Sequence, residues 1–295
     1  MIKNKLIITI VIVLLIIMFL DILSKNNTFE NEITEQENEN VISDVKESIT
    51  IYDIEDGYLT VSYNPKVRTH DYNWECLNYN NGLYNYEDKN YKTKLGIDVS
   101  EYQGDIDWKE VKQSGIEFAF IRLGFRGYGD AGRIVLDSKF EQNYNNAKNE
   151  GIEIGVYFFS QSISMKEIEE EANFILEHLK DKEISYPVVF DLEKIKNNNA
   201  RTDNLTIDDI TNLTLEFCRI IKENNYVPSI YGNAKTFTTR MKLEELNDYN
   251  KWYADYQEKP LFPYEFNIWQ YTESGKVNGI STLVDINIDF VRKTF

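Results

Sequence analysis

Histidine and cysteine are scarce in this chain, with two of each among 295 residues. Cys76 and Cys218 form no Cys-x-x-Cys pair and are too few for a framework of bridges. Cys218 falls among apolar residues of a helical pattern, where a buried free thiol is expected. His70 and His178 stand far apart, so a Ser-His-Asp relay or a histidine-rich zinc site has little material to use. Positive charge is short as well: 32 Lys and Arg face 49 Asp and Glu, a formal net charge of -17. That balance argues against a nucleic-acid partner, because such binding is driven by basic patches that release counterions. The chemistry must therefore lean on carboxylates, and no metal or cofactor is called for.

What the chain does contain begins with an apolar run. After Lys3 and Lys5, residues Leu6 to Leu20 are interrupted only by Thr9, and counting on to Leu23 gives 18 residues, roughly 27 Å of helix. Met18 to Lys25 offers no small-residue cleavage site, which favours an uncleaved anchor over residues 1–26 rather than secretion after signal cleavage. The two leading lysines put the N-terminus inside and the rest of the chain outside, a single-pass arrangement at the cell membrane. Residues 27–48 are rich in Glu and Asn and show no helical or strand period, so they read as an acidic flexible linker. Residues 49–94 alternate like short strands and then become rich in Tyr and Asn. They read as an ordered extension packed on the main domain, with sugar binding as the alternative.

From Leu95 to the C-terminus a rhythm sets in. Strands are expected at Leu95–Val99, Phe118–Leu123, Ile154–Phe159, Val188–Leu192, Ser229–Tyr231, Lys251–Ala254, Phe266–Tyr271 and Val284–Ile288. Helical patterns intervene at Trp108–Gln113, Lys139–Glu150, Met165–Lys180 and Thr206–Asn224, with Gly151 and Ser164 as sensible caps. The expected fold is α/β, a modified (β/α) TIM-like barrel with a degraded second half, over residues 95–295.

Within this rhythm Tyr186-Pro-Val-Val-Phe-Asp-Leu-Glu193 carries two carboxylates spaced i and i+2, which project together from an extended strand. The spacing alone is weak, since a chain this acidic yields such triplets on the order of eight times by chance. Its place at the end of a buried strand gives it weight, because residues just beyond barrel strands line the catalytic mouth. Asp98 ends the first strand and Asp285 lies in the last, so barrel closure makes them neighbours. Like charges crowded into one pocket cannot all ionise; at least one carboxyl retains a proton near neutral pH and can act as an acid. That pattern suits glycoside hydrolysis. Asp285-Ile-Asn-Ile-Asp289 begins like a calcium loop but has Phe290 at the turn glycine and no room for a twelfth-position Glu. The Gly124 to Gly129 segment lacks the glycine order and the Lys-Ser/Thr pair of a phosphate loop.

The residues resemble the glycoside hydrolase family 25 lysozymes, the Chalaropsis type of muramidase. The likeness runs through Gly96-Ile-Asp-Val-Ser100, Gln103-Gly, Ile106-Asp-Trp108 and Phe120-Ile-Arg-Leu-Gly-Phe-Arg-Gly-Tyr-Gly129. It continues with Gly155-Val-Tyr-Phe-Phe159, Pro187 to Glu193, Trp252-Tyr-Ala254, Trp269-Gln-Tyr271 and Val284-Asp-Ile-Asn287. The resemblance implies cleavage of the β-1,4 bond between N-acetylmuramic acid and N-acetylglucosamine, with peptidoglycan glycan strands as partner and a monomeric catalytic domain. It implies Glu193 as proton donor and Asp191 as the partner that stabilises the reacting centre or orients the substrate's acetamido group. Asp98 and Asp285 match the two further acids, and Tyr157, Tyr231, Trp252 and Trp269 match sugar contacts or core. The chain departs from many relatives at Phe158–Phe159, where they carry a more polar pair. A non-catalytic glycan-binding protein, or a hydrolase with N-acetylglucosaminidase or chitin-cleaving specificity, are the alternatives.

Overall fold

Strands buried on both faces, such as Phe118–Arg126 and Val188–Asp191, are the feature from which both layers of the molecule follow: one face fills the barrel and the other meets the helices. The computed structural model describes residues 47–196 and 199–294. The expected anchor over 1–26, and all but the last two residues of the linker, lie outside the described residues. Among the described residues no helix is long and apolar enough to cross a membrane.

Two small hairpins come first: β1 (Ser48–Asp53) with β2 (Gly57–Ser62), and β3 (Leu77–Asn80) with β4 (Leu83–Tyr86). Eight strands then close a barrel: β5 (Tyr91–Val99), β6 (Phe118–Arg126), β8 (Glu153–Phe159), β9 (Val188–Asp191), β10 (Pro228–Asn233), β11 (Asn250–Ala254), β12 (Ile268–Gly275) and β13 (Val284–Arg292). The short β7 (Ile134–Leu136) pairs on β6 outside this ring. Four helices cover the barrel: α1 (Trp108–Gln113), α2 (Phe140–Asn149), α3 (Met165–Leu179) and α4 (Ile207–Glu223). Ser164 caps α3 by accepting from the Glu167 amide, and Gly151 follows α2 at φ +69°, a conformation its missing Cβ permits.

The second half departs from a regular (β/α) repeat for a reason of length. After β10 the crossover is made of short helical turns at Thr236–Arg240 and Leu243–Leu246, and β11 runs to β12 with no helix between them. Residues 276–283 are too few for a crossover, so β13 returns antiparallel to β12 and to β5. This antiparallel closure sets Asp285 opposite Asp98 in register.

Every second side chain of the strands enters the lumen. Phe118, Phe120, Val189, Trp252 and Ile268 pack there with Tyr186, whereas Ile121 and Leu123 face outward into the larger core shared with Ile168 and Phe217 of the helices. Two glycines make the lumen layer possible: a Cβ on Gly96 would lie 2.3 Å from the Phe118 ring, and one on Gly155 would lie 2.4 Å from the Phe120 ring. The extension and the barrel belong to one compact unit, Ile49–Phe295. Much of the aromatic inventory goes into joining them. Tyr72 stacks on Phe290 at 4.1 Å, and Trp74 meets Phe266 and Trp269 at 6.4 and 6.2 Å. His70 stacks on Tyr72 in the same cluster, and His178 turns back to the Phe174 carbonyl.

Candidate active site

At the C-terminal ends of the parallel strands a cleft of about 500 Å³ opens, and Asp98, Asp191, Glu193 and Asp285 all line it. Asp191 ends β9 and is buried, and Glu193, two residues further on, is half-buried at the cleft surface. The loop carrying Glu193 is held by its backbone: Gln161 donates Nε2 to the Glu193 carbonyl at 3.0 Å and accepts from Thr202 Oγ1 at 3.0 Å. The Glu193 carboxyl is thus free of structural duty.

Two proton-sharing pairs result. Burial, then the charge of Glu193, holds Asp191 well above the usual carboxylate range. Burial is the main cause that brings Glu193 up to about 7; the contact with Asp191 and the Arg240 charge draw it down, and the Glu55 and Asp98 charges raise it. Carboxyls this enclosed retain at least one proton near neutral pH. In the second pair, burial and the Asp98 charge push Asp285 up to about 9. Asp98 is itself raised by burial, but Asn287 Nδ2 and Gln270 Nε2 each donate to its Oδ2 at 2.9 Å and stabilise the anion. The proton of this pair therefore belongs to Asp285.

A second ring of side chains fixes Asp98 in turn. Trp252 donates Nε1 to Asn287 Oδ1 at 2.7 Å, and Tyr231 and Tyr256 donate to Gln270 Oε1 at 2.9 and 3.1 Å. Because each amide oxygen is occupied, each amide nitrogen must face Asp98. Arg122, reaching into the same cleft, is fixed by Asp137 at 2.7 Å and Glu101 at 3.1 Å.

Of the four aromatics expected as sugar contacts or core, Tyr157, Tyr231 and Trp252 line the cleft, with Trp252 as buried floor. Trp269 does not line it. Its side chain points outward, fully buried against Trp74 and Tyr84, with Nε1 donated to the Asp255 carbonyl at 2.6 Å, so its work is packing. The Phe158–Phe159 pair divides between the two layers: Phe158 packs on Phe174 in the core, and Phe159 lines the cleft. Sequence reasoning missed Arg122, Gln270, Tyr256 and Asn287, although Gln270 and Asn287 stand at i+2 from inward residues and the strand period marks them. It also missed Glu55. That residue sits in the turn of the β1–β2 hairpin, lines the cleft and pairs with Lys196 at 3.4 Å. The turn is built by Asp53, whose Oδ1 accepts from the Glu55 and Asp56 amides at 3.0 Å each. Among the described residues no group of His, Cys, Asp and Glu is arranged to hold a metal ion.

With this geometry in hand, comparison with known proteins settles the family. The model of glycosyl hydrolases family 25 matches residues 97–280. The chain belongs to that family. It is a glycoside hydrolase, similar to the autolytic lysozyme of Clostridium acetobutylicum, 25% identical over 65% of this chain and 54% of that one. Among solved structures it resembles the lysozyme of Streptomyces coelicolor, with TM-score 0.54 and 26% identity over 66% of this chain and 90% of the other. The autolysin LytC of Streptococcus pneumoniae, solved with a synthetic peptidoglycan ligand, shares the fold at TM-score 0.60 and 22% identity, over 82% of this chain and 56% of that one. The chain thus spans little more than half the length of the autolytic lysozyme and of LytC.

Proposed function

We propose that this family 25 hydrolase is a muramidase that cleaves the β-1,4 bond between N-acetylmuramic acid and N-acetylglucosamine in peptidoglycan, with Glu193 as the proton donor. The observation that carries the reading is the meeting of Asp191 and Glu193 with Asp98 and Asp285 in one cleft at the barrel mouth. Glu193 is the more exposed carboxyl of its pair, with a proton affinity suited to neutral conditions. It transfers its proton to the glycosidic oxygen as the bond to the anomeric carbon breaks, and the positive charge developing on the sugar ring is stabilised by the Asp98 anion. Asp191 supports the reacting centre: its Oδ1 is buried and makes no hydrogen bond among the described residues, which leaves it to receive the N–H of the substrate's acetamido group. Water then adds its hydroxyl to the anomeric carbon and gives its remaining proton to the Glu193 carboxylate, which restores the acid.

The test is digestion of defined peptidoglycan by residues 49–295, with mass analysis of the new reducing ends. Muramic acid at those ends supports the reading. N-acetylglucosamine ends would make it a glucosaminidase, and retention on the polymer without turnover a binding protein. On the sequence pattern of residues 1–26 we place the enzyme on the outer side of a cell membrane, tethered by residues 27–48, where a flexible tether raises local substrate concentration. Membrane fractionation, with protease accessibility of the barrel on intact cells, tests the tether.

A further inference from the structure

A second cleft, of about 610 Å³, lies beside the catalytic one, and Tyr256 lines both. We propose that it binds the outlying sugars of the same glycan strand whose scissile bond sits at Glu193, an inference that rests on the muramidase reading. Its residues come from the β3–β4 hairpin, the loop before β6, the segment after β11, and β12 with the β12–β13 connection, so one wall of it is built by the extension that precedes the family-matched residues.

The sequence builds this wall locally. Asn81 and Gly82, at φ +53° and +85°, form the two-residue turn of the hairpin, and this turn fixes Tyr79 directly across from Tyr84. Their ring centroids are 4.5 Å apart. Tyr84 is backed by Trp269 at 5.2 Å and Tyr271 at 5.0 Å, so the platform is rigid from beneath. Tyr79, by contrast, is 63% exposed, and packing does not account for a large ring left so open. Sugars offer C–H faces that stack on such rings and hydroxyl edges that take hydrogen bonds. Asn81, Gln257 and Ser274 supply polar edges around the rings. The Tyr271 hydroxyl is buried against the Tyr84 backbone amide, which ties the platform to β12. Continuity with the reaction centre runs through Tyr256, whose hydroxyl donates to the Gln270 oxygen while the Gln270 nitrogen holds Asp98. A strand leaving the catalytic cleft over Tyr256 meets the Tyr79–Tyr84 platform next.

The experiment compares full-length protein and Tyr79→Ala on long, peptide-free glycan strands and on a short tetrasaccharide, with Tyr79→Phe as the conservative control. Loss of one stacking ring is expected to raise KM for long strands about tenfold relative to the tetrasaccharide, a typical magnitude for removing an aromatic contact. Tyr79→Phe restores the preference for long strands. Equal effects of Tyr79→Ala on both substrates, or none on either, overturn the proposal. If the unmodified enzyme cleaves neither substrate, it is the muramidase reading that fails. The cleft is then judged by binding alone, with long strands titrated onto Glu193→Gln and onto the Glu193→Gln, Tyr79→Ala double variant. Equal affinity of the two would dismiss the second cleft.

Discussion

Replacing Glu193 by Gln removes the transferable proton and almost nothing else. The amide has the same shape, and the loop is held through the Glu193 carbonyl by Gln161, not through the carboxyl. Stability should therefore change little, while the catalytic step loses its general acid. Such a group contributes about 10²- to 10⁴-fold, or roughly 3–5 kcal/mol of barrier. The pH dependence gives the sharper test. A donor pushed up to about 7 is charged above that pH. In the wild type kcat/KM should thus fall by about tenfold per pH unit once pH exceeds the donor's pKa, while the residual activity of Glu193→Gln should show no such limb. The assay is the initial release of reducing ends from purified glycan strands between about pH 5 and pH 9, with thermal unfolding of both proteins run in parallel. Wild-type rates in Glu193→Gln, or the same falling limb in its residual activity, would refute the assignment of the acid.

The charges around Glu193 act in opposite senses. Glu55 raises its pKa and Arg240 lowers it, so Glu55→Gln should move the alkaline limb to lower pH and Arg240→Gln to higher pH; shifts of one sign in both variants would contradict the electrostatic account. Gly155→Ala would set a methyl 2.4 Å from the Phe120 ring and 2.8 Å from the Pro187 carbonyl, and overpacking of this kind should cost about 1–3 kcal/mol in denaturant unfolding; an unchanged midpoint would show that the lumen yields more easily than its packing implies. Stability as a whole should fall as pH rises from about 5 to 8. Asp285 near 9 and Asp255 and Asp289 near 6 hold protons in the folded state that the unfolded chain, with carboxyls near 4, has already released. His70, lowered by burial, opposes this with a single group, and Lys251, near 8, opposes it only towards the top of the window. A midpoint temperature that climbs across that range would contradict the raised carboxyls.

The barrel was legible because its strands are buried on both faces, which leaves short runs of β-formers such as Phe118-Ala-Phe-Ile-Arg-Leu123 between caps and turns. The pairing of Asp98 with Asp285 followed from closure alone and holds although β13 runs opposite to the expected direction, since in-register neighbours sit side by side in either sense. Trp269 stood between sugar contact and core because alternation assigns a face but does not say whether that face meets solvent; here the outer face is covered by Trp74 and Tyr84 of the extension, which no period in β12 encodes. Glu55 was illegible for the same reason. Its hairpin is docked by contacts made at long range, the Asp53 Oδ2 with the Lys235 amide at 3.3 Å and the Asp56 carboxylate with the Lys235 side chain. A residue 138 positions before Glu193 in the chain therefore takes part in setting its proton affinity. It follows that residues 97–280, which suffice to mark the family, do not enclose the charges that set the proton affinity of Glu193: removal of the β1–β2 hairpin should leave the four acids in place and still lower the pH above which Glu193 loses its proton.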